Sequence, residues 1–250
     1  MTTKSTDISQ LALDFPHRPS LGREDFMVAK CNQEAVSIID LWPNWPFFAT
    51  CIYGPSGCGK THLANVFAQM VALKTSHPYR IPFIKASQIN KNMAHTLFEN
   101  NQQIVIEDLD TLKDQEALFH LYNTYRDLGG NILFTSEIAP ARINFSLPDL
   151  RSRMNIVPNI EIKAPDDDLL MALIVKLFMD RQITPSPELL NYLIKNIHRS
   201  FSYVRKLVEE IDNISLAKKR AISISIAKEA ITTLDSNLQF DLFKKKPKEH

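Results

Sequence analysis

The chain has 250 residues, 44% of them hydrophobic and 23% charged, and a formal net charge of +1 at pH 7. This suffices for one large domain, or a large domain with a smaller companion, built around a real core. A charge so near zero excludes global polyelectrolyte attraction to nucleic acid, so any contact with DNA is expected to be local or indirect. Residues 1–20 are polar and broken by Pro16 and Pro19, and read as a flexible arm. No apolar signal core opens the chain and no run reaches membrane-spanning length. Cys31, Cys51 and Cys58 show neither paired nor metal-site spacing. These features predict a reduced, cytoplasmic setting without a membrane partner.

The first predicted strand is the apolar run from Phe47 to Tyr53. It leads into Gly54-Pro55-Ser56-Gly57-Cys58-Gly59-Lys60-Thr61, which has the spacing G-x-x-x-x-G-K-[ST]. Glycines let the backbone curl so that successive N–H groups face phosphate oxygens. Lys60 is placed to reach the outer phosphates and the Thr61 hydroxyl to hold Mg2+. A helix over 62–73, with Leu63, Val66, Phe67 and Met70 on one face, would aim its positive N-terminal end at the same phosphates. Cys58 reads as a small filler within the loop, because a redox-active thiol needs its own electropositive surroundings.

Further short apolar bursts follow at 81–85, 103–107, 131–135 and 155–162, alternating with helical stretches. The expected fold class is therefore α/β, a parallel five-stranded sheet with helices on both faces. The third burst ends in Glu107 and Asp108, at the strand edge that opens onto a ligand crevice. Phosphoryl-transfer chemistry uses one acid near magnesium and often another to orient water. In an extended strand the two side chains would face opposite ways, so sharing a role would need a local twist. Thr135, Ser136 and Glu137 close the next strand, where one polar side chain could sit between the second acid and a terminal phosphate. Around Arg151 and Arg153, Ser146 is the expected cap and Pro148 the first residue of a short helix. Two residues apart, these arginines cannot share a target, and spacing does not choose between a surface ion pair and a group offered in trans.

After Pro165 the strands cease, and a helical subdomain is expected. Asp166 would cap a helix over 167–181, with others over 188–197, 202–219 and 225–234. Arg205 falls on the third of these. Its pattern leaves open whether it folds back on a phosphate or runs along apolar surface. The boundaries implied are an arm at 1–20, an α/β body at 21–165, a helical lid at 166–236 and a tail at 237–250.

Several of these segments together resemble the AAA+ ATPases of the DnaA/Hda branch, and the shortened Hda-type members most closely. Phe26 to Ala35 resembles the segment F-x-V-x-x-x-N-Q-x-A that lies beside adenine in that branch, which implies roles in nucleotide binding for Phe26, Val28 and Asn32. Tyr53 to Leu63 resembles Y-G-x-x-G-x-G-K-T-H-L and adds His62. Thr135-Ser136-Glu137 resembles the sensor 1 stretch, with Glu in place of Asp. Leu150-Arg151-Ser152-Arg153 resembles box VII, whose last arginine is the finger, selecting Arg153. Arg205 matches the sensor 2 arginine of the lid. The resemblance implies ATP or ADP with Mg2+ as cofactor. It gives Thr61 and Glu107 the metal, Asp108 the water, and Arg153 and Arg205 catalytic contributions. Glu107 replaces an aspartate, and its longer side chain puts intrinsic hydrolysis in question.

Gln10-Leu11-Ala12-Leu13-Asp14-Phe15 resembles the short motif by which Hda-like proteins and polymerases dock on the ring-shaped sliding clamp. Gln10 would offer its amide while Leu11, Leu13 and Phe15 enter apolar pockets. Gln239 to Phe243 is a second, weaker match. The residues after Arg205 are expected to finish the lid, leaving no room for the origin-reading helix-turn-helix of DnaA. The function implied is a negative regulator of replication initiation. It would bind the beta sliding clamp of DNA polymerase III and stimulate hydrolysis of DnaA-bound ATP in trans, with DNA contacted only through the clamp. The alternative is a helicase loader of the DnaC or IstB type. Self-association into a homo-oligomer is left open.

Overall fold

A computed structural model describes residues 26–75 and 81–244. The N-terminal motif with Gln10, Leu11, Leu13 and Phe15 lies outside the described residues. The elements run α1 (Gln33–Leu41), β1 (Ala49–Tyr53), α2 (Lys60–Thr75), β2 (Phe83–Lys85), α3 (Met93–Asn100), β3 (Gln103–Glu107) and α4 (Gln115–Asp127). They continue with β4 (Asn131–Ser136), α5 (Pro148–Ile156), β5 (Asn159–Glu161), α6 (Asp167–Met179), α7 (Pro187–Asn196), α8 (Phe201–Lys218) and α9 (Ile224–Lys244).

The strands form one parallel sheet in the order β2-β3-β4-β1-β5. Because side chains alternate along a strand, each central strand feeds both faces. Cys51, Ile104, Ile106 and Phe134 pack with Leu118, Tyr122 and Tyr125 of α4 and with Leu150 and Met154 of α5. Ile52, Val105 and Leu133 point the other way, onto Ile39 of α1 and Leu63 and Phe67 of α2. The fold class expected from the alternating bursts is the one found, including the all-helical C-terminal part.

The lid has its own core, in which Leu173 and Phe178 of α6 meet Leu193 of α7, Val204 and Leu207 of α8 and Ala227 of α9. Three of its helices begin as local chemistry dictates. Asp166 accepts from the Leu169 N–H, Ser186 from that of Leu189 and Ser200 from that of Tyr203, each satisfying an otherwise orphaned donor.

Three expectations need correction. The strand predicted at 155–162 starts later, as β5, since Asn155 and Ile156 finish α5. Leu150 and Met154, four residues apart, are both buried and hold that helix to the core, and Pro158 precludes its continuation. Pairing resumes only when the Pro158 carbonyl accepts from the Cys51 N–H at 2.9 Å. Ser146 does not cap α5: it donates to Gln115 Oε1 at 3.2 Å, and the cap position is Leu147. The helix expected over 225–234 runs on to Lys244 as α9, so the tail match at 239–243 lies on helical backbone.

Phe134 is fully buried at the sheet centre, whereas Ile156 is 75% exposed. Phe134→Ala is expected to lower unfolding free energy by about 3–5 kcal/mol, and Ile156→Ala by less than about 0.5 kcal/mol, in urea titrations followed by circular dichroism.

Candidate nucleotide-binding site

β1, β4 and β3 are neighbours, so their C-terminal ends open on one crevice, as parallel sheets require of a ligand site. The loop 54–59 leaves β1 and turns at once into α2. Gly54, at φ +153, sits so close to the Ile162 carbonyl that a Cβ there would collide with it. Lys60, the first residue of α2, is 8% exposed. Its ammonium donates to the carbonyls of Gly54 at 2.7 Å and Pro55 at 3.0 Å, which makes burial of the charge tolerable. Cys58 is buried beside Gly54, and burial pushes its thiol upward, partly offset by Lys60. A thiol raised above its ordinary value is neutral at pH 7, in keeping with a packing role.

The two residues expected to share a metal are brought together. Thr61 Oγ1 donates to Glu107 Oε1 at 2.8 Å. A hydroxyl and a carboxylate are hard oxygen donors, and Mg2+ takes one or two such protein ligands alongside phosphate oxygens, so the pair fits that ion. The local twist that lets both acids border one site is present. Asp108 adopts φ 55, ψ 51, a left-handed conformation, so its carboxylate lines the cavity while that of Glu107 stays on Thr61. Lys85 lies 3.9 Å from Asp108, an exposed pair of small energetic weight.

Thr135 and Ser136 are buried, and neither reaches the cavity. Thr135 Oγ1 accepts from the Asp108 N–H at 3.3 Å, fixing the turn that aims that acid. Ser136 Oγ donates to Asp110 Oδ1 at 2.9 Å, and the Glu137 N–H donates to the same oxygen at 2.8 Å. Asp110 thus welds the end of β4 to the turn after β3, leaving Glu137 as the cavity-lining side chain. Sequence reasoning missed Asp110. Its only signal was a third acid two residues beyond Asp108.

The opposite wall comes from the segment before α1. Phe26 is buried and meets His62 edge-to-face at 5.0 Å. Asn32, 1% exposed, accepts from the Ala29 N–H at 2.8 Å and donates to the Met27 carbonyl at 2.9 Å. Asn32 also lines the cavity, so its amide shapes the very segment that forms this wall. Val28 is 51% exposed and its side chain is not part of the cavity wall, whereas Met27 is. The lid closes the space with Leu173 of α6 and Phe201, Ser202 and Arg205 of α8. Ser56, Gly57, Gly59 and Thr61 complete a cavity of about 370 Å³, within the range of small-molecule sites. Among the described residues no set of three or more acids, histidines or cysteines could hold a metal unaided. No helix there is long and apolar enough to cross a membrane.

Arg153 is elsewhere. Its guanidinium lies over the Phe119 ring at 5.0 Å and the Tyr122 ring at 5.8 Å, both on α4. Its Nε is buried without a hydrogen-bond partner. Arg151, two residues earlier on α5, is exposed.

The sequence model of the bacterial DnaA ATPase domain matches residues 19–160. The chain belongs to that family. Similar curated proteins include DnaA of Lachnoclostridium phytofermentans, 24% identical over 202 residues that cover 74% of this chain and 44% of that protein. An uncharacterized protein of Haemophilus influenzae is 24% identical over 191 residues, covering 74% of this chain and 81% of its own. The chain spans about half the length of the DnaA relatives it matches. Domain III of Thermotoga maritima DnaA superposes with a TM-score of 0.73 at 19% identity, covering 88% of this chain and 98% of that one. AMPPCP-bound DnaA from Aquifex aeolicus gives 0.66 at 20% identity, covering 78% and 65%. At these identities the structural likeness is one of fold.

Asn32 thus braces the cavity wall through two backbone bonds, whereas Val28 is half exposed. Asn32→Ala strands the Ala29 N–H and Met27 carbonyl and is expected to cost about 1–3 kcal/mol, against less than about 0.5 kcal/mol for Val28→Ala, in the same urea titration.

Proposed function

We propose that this chain binds ATP or ADP with magnesium and regulates the DnaA initiator in trans. In this reading residues 54–61 cradle the phosphates and Thr61 with Glu107 holds the metal. Asp108 orients water, Arg205 approaches the terminal phosphate from the lid, and Phe26, Met27 and His62 border the base. The metal would neutralise charge on the phosphates when bound. Arg153 serves a different nucleotide, the one held by DnaA, adding positive charge where the transition state develops negative charge. The chain's own nucleotide then acts as a switch on its shape, and its own hydrolysis is secondary.

The observation that carries this reading is the separation of Arg153 from the chain's own cavity. It sits on α5 over Phe119 and Tyr122, with an Nε lacking a hydrogen-bond partner. The side chain is only partly buried and lies outside the chain's own cavity, which supports assigning it to a partner's nucleotide. Family membership supports the choice of DnaA chemistry. Gln10, Leu11, Leu13 and Phe15 supply the docking segment for the beta sliding clamp, and the net charge of +1 suits recruitment to DNA through a ring better than direct binding. The arm at 1–20, body at 21–165, lid at 166–236 and tail at 237–250 are the working units. The setting is cytoplasmic, and self-association is compatible with the scheme.

Lys60→Ala is expected to abolish binding of a fluorescent ATP analogue, and Glu107→Gln to retain binding but lose its enhancement by Mg2+. Arg153→Ala should keep nucleotide binding and capture by immobilised clamp. ATP hydrolysis by purified DnaA, measured with DNA-loaded clamp, should then fall to the rate of DnaA alone. An Arg153→Ala chain that stimulates normally refutes the trans role. Clamp capture should vanish in Gln10→Ala with Leu11→Ala, whereas clamp-independent capture of a replicative helicase would favour the loader function instead.

A further inference from the structure

The lid is bonded to the tip of the phosphate loop. The backbone N–H of Phe201 donates to the Gly57 carbonyl at 3.0 Å. Phe201 is the first residue of α8, an 18-residue helix capped by Ser200. The first N–H groups of a helix have no acceptor within it. That of Tyr203 is taken by the Ser200 hydroxyl at 3.3 Å, and that of Phe201 finds its acceptor in the α/β body.

The approach is tight. Gly57 has φ +74, and a Cβ there would collide with the Ser200 hydroxyl and stand 2.5 Å from that of Ser202. The ring of Phe201 lies 3.7 Å from the place a Cβ on Gly59 would occupy. Gly57 is therefore pressed by the lid as well as shaped for phosphate, whereas a Cβ on Gly59 would make only ordinary contact with Phe201. The turn before α8 is braced from α6, where Asp167 Oδ1 lies 3.0 Å from Arg199 Nη2. Gly57 lines the cavity, so the lid cannot swing clear of it without breaking the Phe201–Gly57 bond.

We propose that the first turn of α8 is a latch, closed by the Phe201–Gly57 hydrogen bond, which makes release of a bound nucleotide depend on the lid letting go of the loop tip. This rests on the nucleotide-binding reading above and adds the bond that governs release. A backbone donor can be deleted here without rebuilding the helix. Proline is favoured at the first helical position, where its missing N–H breaks no intrahelical bond. Ser200, at φ −146 and ψ 130, already has the extended conformation required before proline. Phe201→Pro removes ring and donor, and Phe201→Ala removes the ring alone, so their difference isolates the bond.

The test uses the full chain. Stopped-flow release of a fluorescent ADP analogue is measured against excess ADP. In parallel, amide hydrogen exchange without nucleotide is followed in peptides covering 54–62 and 198–206. Phe201→Pro is expected to release nucleotide about threefold to tenfold faster than Phe201→Ala, and to exchange faster in both peptides. Equal release and equal exchange in the two variants overturn the latch. If the proline variant does not fold, Ser200→Ala uncaps the same turn with Phe201 intact. It is expected to speed release about twofold to fivefold, and unchanged release overturns the proposal. If the unaltered chain binds no nucleotide, the nucleotide reading and the latch's role in release both fall. Faster exchange in Phe201→Pro than in Phe201→Ala would still establish the bond itself.

Discussion

A buried ammonium held by two carbonyls of its own loop sets the geometry on which the rest of this molecule depends. Lys60 brings a charge to a position only 8% exposed, and the carbonyls of Gly54 and Pro55 satisfy it at 2.7 and 3.0 Å. A cation out of water is stable only when hydrogen-bonded. The backbone therefore curls around Nζ, and that curl presses Gly54 beneath the Ile162 carbonyl and carries Gly57 outward to the lid. Side chains at either glycine would break the arrangement on one side or the other.

The sheet supplies the remaining chemistry by position alone. β1 delivers the loop, β3 the acids at 107 and 108, and β4 the residues at 135–137, on three adjacent parallel strands. Asp108 turns left-handed, its N–H held by Thr135, and so lines the same cavity as Thr61, the partner of Glu107, while Asp110 ties down the end of β4. The cavity is incomplete until the lid adds Leu173, Phe201, Ser202 and Arg205. Two subdomains with separate cores thus share one site, and their relative motion bears directly on what the site can retain. Arg153 rests on aromatic rings of α4 and does not line this cavity.

Much of this was legible in the chain. The loop 54–61 declares itself because its function needs particular residue types at fixed spacing, flanked by a strand and a helix. The alternation of β-branched bursts with helical stretches carried the parallel sheet, and Asp166 announced the lid by capping α6 as expected. The errors share a cause. Ser146 looks like a cap in isolation, yet Gln115 takes its hydroxyl from 31 positions away. Ile156, at the head of the run to Ile162, looks like strand, but burial of Leu150 and Met154 holds it in α5.

Sequence by itself determined what depends on residue type and short spacing: the phosphate loop, the helix cap at 166 and the alternation that makes both sheet faces apolar. Tertiary structure alone decided which polar groups were already spoken for, that Asp108 would twist, and that Phe201 would bond to Gly57 across 144 positions in sequence. Propensity and periodicity act over a few residues, where the chain is its own environment. Hydrogen bonds between distant segments depend on how strands register and helices dock, and no local pattern records that.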